Sequence, residues 1–361
     1  MSKIVHFKGL NGIRAIAAVG VMLAHIFGDL GQLGLKRLPE SLNIASLGVT
    51  MFFTLSGFLI TFLLLKEKTS SDKNQIDISN FYLRRMLRIW PLYFLYIIIC
   101  LLTYWVFSID YDKSMLFYYV FLLANVPLII ETTLPFIGHL WSVAVEEQFY
   151  LFWPWFSKID TKKILIYTIL LVLALIFIKD LSYILGNRYN YKIPLITLTV
   201  TRFYCMLIGC IVAILYFQKS IWIERLTNKY VSIIAWLVML LAIIDKFQIS
   251  SALIDHEIMS IITAIIILNQ ITEKNRIINL DNWLLDFFGK ISYGIYIYHP
   301  IIIFLTINFF GKFKNDVFIN YSLVFSVIFG LTILVSYLSF HFFEKRFIKM
   351  KDRFSSVKSR M

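Results

Sequence analysis

The sequence has 361 residues, of which 59% are hydrophobic and 16% charged, and its mean hydropathy is +0.75. This apolar content exceeds what one soluble core can bury, so it excludes an ordinary soluble globular protein. The net charge of +13 does not indicate nucleic-acid binding, because the basic residues gather in short segments beside apolar runs, where they set orientation in a membrane.

Apolar runs of membrane-spanning length recur along the whole chain. They predict an all-α, polytopic integral membrane protein, because runs of about 18 residues fit helices that cross about 30 Å of hydrocarbon better than they fit barrel strands. The eleven runs are residues 10–28, 44–65, 89–107, 114–130, 139–156, 164–180, 197–217, 230–245, 253–270, 287–309 and 318–343.

The distribution of basic residues selects about ten transmembrane helices from these eleven runs. If the amino terminus is cytoplasmic and 114–130 does not cross, the cytoplasmic segments hold 25 of the 35 Lys and Arg residues. A crossing by 114–130 would place the basic end of the chain outside, against the positive-inside rule. We therefore predict a re-entrant or interfacial segment near 114–130 and cytoplasmic termini. The domains are one membrane domain, 1–347, and a basic cytoplasmic tail, 348–361.

The first span carries two ionisable residues, Arg14 and His25. Eleven residues at about 100° each return them to one helix face, about 16 Å apart. Because ionisable groups within a membrane usually face a cavity and have a function, this pair indicates an embedded catalytic site. The alternative is that His25 is an interhelical hydrogen-bonding residue and that Arg14 extends its charge to the cytoplasmic interface.

The string HLWSVAVEEQFYLF places two carboxylates within a span. His139 and Glu146 lie on one polar stripe with Ser142, whereas Glu147 points about 100° away. Glu146 is the better candidate for a functional carboxylate. It either orients a catalytic histidine or holds acceptor hydroxyls, and the alternative is a structural ion pair with a membrane arginine such as Arg202.

Other positions give weaker signals. His299 in SYGIYIYHP is predicted to form a hydrogen bond between helices, with lining of the substrate path as the alternative. Ser56 and Gly57 are interpreted as a small pair that lets helices approach closely. The three cysteines, all within predicted spans, have no metal-ligand spacing, and no metal site is predicted.

Several motifs together resemble the membrane acyltransferase-3 family. They are the Arg-x10-His spacing, the strings MFFTLSGFLIT, FYLRRMLRIWPLYFL, HLWSVAVEEQFYLFWP and ISYGIYIYHP, and the closing FEKRF, in that order from about Gly9 to Phe347. The resemblance implies an enzyme of the bacterial inner membrane. Such an enzyme moves an acyl group, usually acetyl from cytoplasmic acetyl-CoA, to a hydroxyl of a sugar or glycolipid at the outer face.

The resemblance also implies roles for particular residues. Arg85 and Arg88 match the family's RxxR pattern and, with Arg84, would bind the phosphates of acetyl-CoA, to which guanidinium groups are well suited. The alternative is that these arginines set orientation or bind anionic lipid. His25 would act as a general base or a nucleophile, and we favour the base. Arg14 would bind the CoA arm or stabilise the oxyanion.

The weaker substrate-binding candidates are Glu147, His139, Arg202 and His299. Cys205 stands where the family often has an acidic residue, which weakens any acceptor contact there. Fuller members carry an appended extracytoplasmic hydrolase-like domain, so this chain is expected to act alone or with a protein partner. Two alternative functions are a secondary transporter or glycolipid flippase, and a structural partner of a polysaccharide exporter. The clustered cytoplasmic arginines favour acyl transfer.

Overall fold

The computed structural model describes residues 3–36, 44–70, 75–244, 254–273, 275–313, 318–355 and 357–360. The described part is almost entirely α-helical, as predicted. Its helices are α1 (Leu10–Asp29), α2 (Ile44–Ser70), α3 (Ile78–Val106), α4 (Leu116–Val120), α5 (Asn125–Ile129), α6 (Trp141–Phe156), α7 (Ile164–Tyr189), α8 (Ile193–Thr201), α9 (Phe203–Phe217), α10 (Trp222–Leu226), α11 (Lys229–Ile243), α12 (Asp255–Thr272), α13 (Trp283–Lys290), α14 (Ser292–Phe310), α15 (Phe318–Ser339) and α16 (Lys345–Lys351).

Shorter elements connect these helices. Turns of 3₁₀-helix lie at Leu30–Leu33, Lys113–Met115, Gly138–Leu140 and Asp352–Phe354, and a π-helical turn covers Phe340–Glu344. Two short strands, β1 (Lys3–His6) and β2 (Val357–Arg360), pair in parallel. These strands therefore bring the segments at the two ends of the chain next to each other.

Seven helical stretches of the described residues are long and apolar enough to cross a membrane. They are Leu10–Leu33, Ile44–Ser70, Ile78–Val106, Ile164–Tyr189, Ile193–Phe217, Ser292–Phe310 and Phe318–Phe354. The helices α6, α11 and α12, where spans were also predicted, are shorter or more polar. The count of about ten transmembrane helices therefore stays a prediction. Residues 245 and 253, which bound two of the predicted runs, lie outside the described residues.

Three predicted runs are broken in the structure. The 114–130 segment forms α4 and α5, which have five residues each and cannot cross the membrane as one helix. The 197–217 run is interrupted at Arg202, whose φ of 44° lies in the left-handed region and ends α8 before α9 begins. The 287–309 run is divided into α13 and α14 at Ile291.

The centre of the bundle is α2, which packs against α1, α9 and α12. Glycines allow the closest of these contacts: a Cβ atom at Gly57 would lie 1.9 Å from the Met206 carbonyl oxygen, and one at Gly209 would lie 2.0 Å from that of Thr54. The predicted packing role of Gly57 is thus confirmed. By contrast, α7 and α15 are peripheral and expose apolar side chains such as Phe177 and Leu334, as expected of surfaces that face lipid.

The predicted tail, 348–361, is built into the same fold. It continues α16, which packs against α3, and its strand β2 pairs with β1. The carbonyl oxygen of Phe354 accepts a hydrogen bond of 2.7 Å from Arg84 Nη1 on α3. Residue 347, where the sequence places the boundary between the membrane domain and the tail, lies within α16.

Candidate active site

A cavity lies between α1, α2, α3, α6 and α14. It contains about 910 Å³ of space, including its opening. Its polar and charged lining combines residues from all five helices, listed here in chain order: Arg14, Ser56, Arg85, Arg88, Ser142, Glu146, Tyr150, Ser292, Tyr293 and Tyr296. The structure therefore brings together four residues that the sequence singled out separately, namely Arg14, Arg85, Arg88 and Glu146.

The charges in this cavity are unbalanced. Three guanidinium groups, those of Arg14, Arg85 and Arg88, line it together with one carboxylate, that of Glu146. The Nε atom of Arg85 is buried and has no hydrogen-bond partner in the part of the chain that the structure describes. Because charges held away from water are stabilised mainly by opposite charges, this excess of cations indicates a site for an anionic ligand.

Both oxygens of the Glu146 carboxylate accept hydrogen bonds. Ser56 Oγ donates to Oε1 at 2.9 Å, and the Tyr150 hydroxyl donates to Oε2 at 2.9 Å. Glu146 also acts electrostatically on Arg14 and Arg88. The carboxylate is thus fixed among the cavity's cations. Ser56, interpreted from the sequence as a packing residue, is a polar residue of the cavity wall.

His25 does not line this cavity but lies in a cluster of three histidines. Its Nδ1 atom is 2.7 Å from Nε2 of His299 on α14, and the His299 Nδ1 atom is 3.0 Å from the carbonyl oxygen of Ile295. A carbonyl oxygen only accepts hydrogen bonds, so His299 must carry its proton on Nδ1 and accept from His25 through Nε2. Neutral His25 then carries its proton on Nδ1, which leaves its Nε2 as the basic atom.

His139 is the third member of the cluster. Its ring centroid lies 5.4 Å from those of His299 and Tyr296, and neither of its nitrogens has a hydrogen-bond partner among the described residues. The Tyr296 hydroxyl donates to the His139 carbonyl oxygen at 2.9 Å and lies 2.7 Å from Ser142 Oγ. Since Ser142 and Tyr296 also line the cavity, they lie between the cavity and the histidine cluster.

Two predicted site residues have structural partners outside the cavity. Arg84 forms an ion pair of 2.6 Å with Glu67, in which both side chains are largely buried. Its other hydrogen bond goes to the Phe354 carbonyl oxygen, so Arg84 ties the carboxyl-terminal segment to α3. Glu147 accepts a hydrogen bond of 2.7 Å from Trp90 Nε1. Neither residue belongs to the cavity lining.

Arg202 is also held away from Glu146. Its guanidinium group donates to Ser46 Oγ at 3.0 Å and to the Thr199 carbonyl oxygen at 2.8 Å, and it lies over the Trp141 ring. These contacts do not include Glu146, so they do not form the structural Arg202–Glu146 ion pair that was the alternative. Arg202 instead stabilises the break between α8 and α9.

Tyr150 and Lys351 were not predicted as site residues. Tyr150 follows Glu146 by four residues, a spacing that places both side chains on one helix face and was available as a signal. Lys351 lies on α16, close enough for repulsion from Arg85 and Arg88, yet more than 250 residues away in the sequence. No local pattern indicates that proximity. Among the described residues, the His, Cys, Asp and Glu side chains form no group of three or more that could hold a metal ion, and this includes the three histidines.

The fold and the cavity define a helical membrane domain with an arginine-lined candidate site. The family model for an acyltransferase domain matches residues 7–341, and the chain belongs to the acyltransferase-3 family. The family resemblance drawn from the motifs is confirmed.

Two curated relatives are similar along nearly the whole chain, and a third along part of it. YrhL of Bacillus subtilis (strain 168), provisionally named a peptidoglycan O-acetyltransferase, is 29% identical over 94% of this chain and 54% of its own length. A Staphylococcus aureus (strain COL) protein, provisionally named an O-acetyltransferase, is 26% identical over 96% of this chain and 58% of its own. The O-acetyltransferase OatA of S. aureus (strain NCTC 8325) is 29% identical over 58% of this chain and 35% of its own.

This chain therefore spans little more than half the length of the first two relatives. No solved structure matches it.

Proposed function

We propose that this protein transfers an acyl group, in the simplest case acetyl, from cytoplasmic acyl-CoA to a hydroxyl of a cell-surface glycan or glycolipid precursor. The excess of guanidinium groups in the main cavity carries this proposal. An acyl-CoA brings a pyrophosphate and a ribose phosphate, and guanidinium groups bind such anions through paired, charge-assisted hydrogen bonds. Neither a transported neutral sugar nor a purely structural role requires this charge.

The donor enters from the side of the membrane that holds the chain ends. Arg14 lies near the start of α1, and Arg85 and Arg88 lie near the start of α3, whereas His25 lies near the far end of α1. The basic residues of the flanking segments favour a cytoplasmic location for this side. CoA phosphates at the arginines would then leave the pantetheine arm directed along α1 toward the histidines.

His25 is the proposed general base. Its Nε2 atom takes the proton of the acceptor hydroxyl while the hydroxyl oxygen attacks the thioester carbonyl carbon. The carbon–sulfur bond then breaks, and the proton passes from His25 to the leaving thiolate, which departs as CoA. Throughout these steps the Nδ1–H of His25 donates to His299, so His299 holds the ring in place in both protonation states.

Ser142 and Tyr296 line the donor cavity and also contact His139 of the histidine cluster. The proposal requires this pair to move aside for the thioester. Glu146 is fixed by Ser56 and Tyr150 on the cavity side, so its proposed role is to position Arg14 and Arg88. From the sequence, Glu146 was one candidate for orienting His25. We assign this role to His299 instead.

The acceptor is proposed to be a glycan hydroxyl, and peptidoglycan is the first to test because the name of the B. subtilis relative specifies it. Purified full-length protein in nanodiscs would be given acetyl-CoA labelled in the acetyl group and peptidoglycan fragments. We expect CoA release and labelled fragments with the wild-type protein and with His341→Ala, a control at an exposed histidine. His25→Ala should be inactive while remaining folded. Absence of acetyl-CoA binding to the folded wild-type protein would disprove the proposal.

A further inference from the structure

A second, smaller pocket adjoins the arginine-lined cavity. It shares Ile60, Leu63 and Arg85 with the larger cavity. On its other sides it is lined by α2, α3 and the carboxyl-terminal segment, with Glu67, Arg84, Lys351 and Ser355 as its other polar or charged residues. The two spaces are therefore neighbours across the Arg85 side chain.

Lys351 gives this pocket a cation without a counter-ion. The residue is only 9% exposed, and no ion pair of 4 Å or less joins its ammonium group to a carboxylate of the described residues. It is repelled by Arg88, Arg85 and Arg14, and the acid that attracts it, Asp352, is exposed to solvent. A buried lysine among arginines is costly unless an anion accompanies it.

Arg85 supplies a second cation to the same pocket, with a buried Nε atom that has no hydrogen-bond partner among the described residues. Arg84 is different, because its charge is balanced by Glu67 at 2.6 Å. The pocket therefore contains one ion pair, Arg84 with Glu67, and two further cations, Lys351 and Arg85.

The chain holds Lys351 at this position through its neighbours. Arg84 donates to the Phe354 carbonyl oxygen, and Ser355 Oγ donates to the Lys351 carbonyl oxygen at 3.2 Å. Beyond them, β2 pairs with β1. The carboxyl-terminal segment thus forms a fixed wall of the pocket, and Lys351 lies outside the 7–341 region that the family model matches.

We propose that this pocket binds a phosphate monoester, the ribose 3′-phosphate of CoA, through Lys351 and Arg85. The inference rests on the proposed function and adds to it a binding residue and a subsite. A phosphate monoester carries nearly two negative charges at neutral pH, which matches two cations. The pyrophosphate of the same molecule would occupy the adjoining cavity beside Arg14 and Arg88, with Arg85 between the two phosphate groups.

The test compares CoA with dephospho-CoA, which lacks only the 3′-phosphate. Binding to the full chain in phosphatidylcholine nanodiscs would be measured by titration calorimetry. We expect the wild-type protein to prefer CoA by about tenfold or more, as for charge-assisted hydrogen bonds. Lys351→Met should bind CoA about tenfold more weakly yet bind dephospho-CoA like the wild type, to within about twofold. Its preference for CoA should therefore nearly disappear.

Two variants control for charge and folding. Lys349→Met removes an exposed lysine from the same helix and should retain the full preference for CoA. Lys351→Arg keeps the positive charge and should retain most of the preference. If Lys351→Met loses affinity equally for both ligands, or keeps the preference for CoA, the 3′-phosphate subsite is wrong.

A lipid headgroup phosphate is the other source of this chemistry. The titrations would be repeated in nanodiscs that contain phosphatidylglycerol. If the effect of Lys351→Met appears only there, the pocket binds lipid and the proposed subsite is overturned. If the folded wild-type protein binds neither CoA nor dephospho-CoA, the proposed acyl-CoA function itself fails, which is a different result from equal binding of both.

Discussion

The Nδ1 atom of His25 lies 2.7 Å from the Nε2 atom of His299, and this contact determines which nitrogen of His25 is basic. His299 is itself fixed by the Ile295 carbonyl oxygen, which accepts its Nδ1 proton. The order of donors and acceptors therefore runs from His25 to His299 to the backbone. An imidazole held in this way presents a single defined nitrogen to a substrate, as a catalytic base requires.

Replacement of His299 by phenylalanine should lower kcat by about 10²-fold, because His25 loses the acceptor that fixes its tautomer and orientation. The KM for acetyl-CoA should change little, since His299 does not line the donor cavity. Steady-state kinetics of purified protein would separate the two constants. His299→Gln supplies a side-chain carbonyl oxygen and should recover most of the lost rate. A purely structural His299 would instead give equal losses of stability in both variants and no rescue of kcat.

Arg84 and Arg88 lie one helical turn apart, and they should respond differently to substitution. Arg88→Met should weaken acetyl-CoA binding by about 1.5–3 kcal/mol, because a cation of the cavity is lost. Its thermal stability should hold or rise, since Arg14 and Arg85 lose a repulsive neighbour.

Arg84→Met should instead destabilise the protein by about 3–5 kcal/mol, because Glu67 is left buried without its partner. Calorimetric binding and thermal unfolding in detergent would measure both quantities. If Arg84→Met loses acetyl-CoA affinity without losing stability, Arg84 binds phosphate, as predicted from the sequence.

The charged residues of the cavity could be singled out from the sequence, because they stand out locally. Arg14 and Glu146 are ionisable side chains within apolar runs, and Arg88 directly precedes one. Such residues are retained in membranes mainly when they face one another or a cavity. Their convergence in one cavity follows from this rule. The spacing of Arg85 and Arg88 by one turn likewise fixes their shared face without any tertiary information.

The remainder of the site depends on contacts between distant segments. His25 and His299 are 274 positions apart, and no helix period relates them. Lys351 lines its pocket because the carboxyl-terminal segment packs onto α3. The sequence instead suggests a basic cytoplasmic tail. The break at Arg202 was also not predicted, since an apolar run gives no sign of a left-handed residue that is held by neighbouring polar groups.

Gly57 should be intolerant of even one added methyl group. In Gly57→Ala the new Cβ would meet the Met206 carbonyl oxygen at 1.9 Å, so α2 and α9 must separate. Such overpacking destabilises proteins by about 1–3 kcal/mol, and a clash with the backbone belongs to the upper part of that range. Gly330→Ala is the control, because no atom lies within 4 Å of its added Cβ. Equal melting temperatures for the two variants would contradict the close approach of α2 and α9.

Lys179 and Glu257 form a buried ion pair between α7 and α12, away from the cavity. Lys179→Met should destabilise the protein by about 3–5 kcal/mol, because Glu257 keeps its charge or binds a proton without a partner. The double variant Lys179→Met/Glu257→Met removes both charges and should recover most of this loss, since apolar side chains replace the whole pair. Melting temperatures of the single and double variants in detergent would show the recovery. CoA binding by the folded double variant should match that of the wild type, and a double variant less stable than Lys179→Met would show that Glu257 is held by contacts other than this pair.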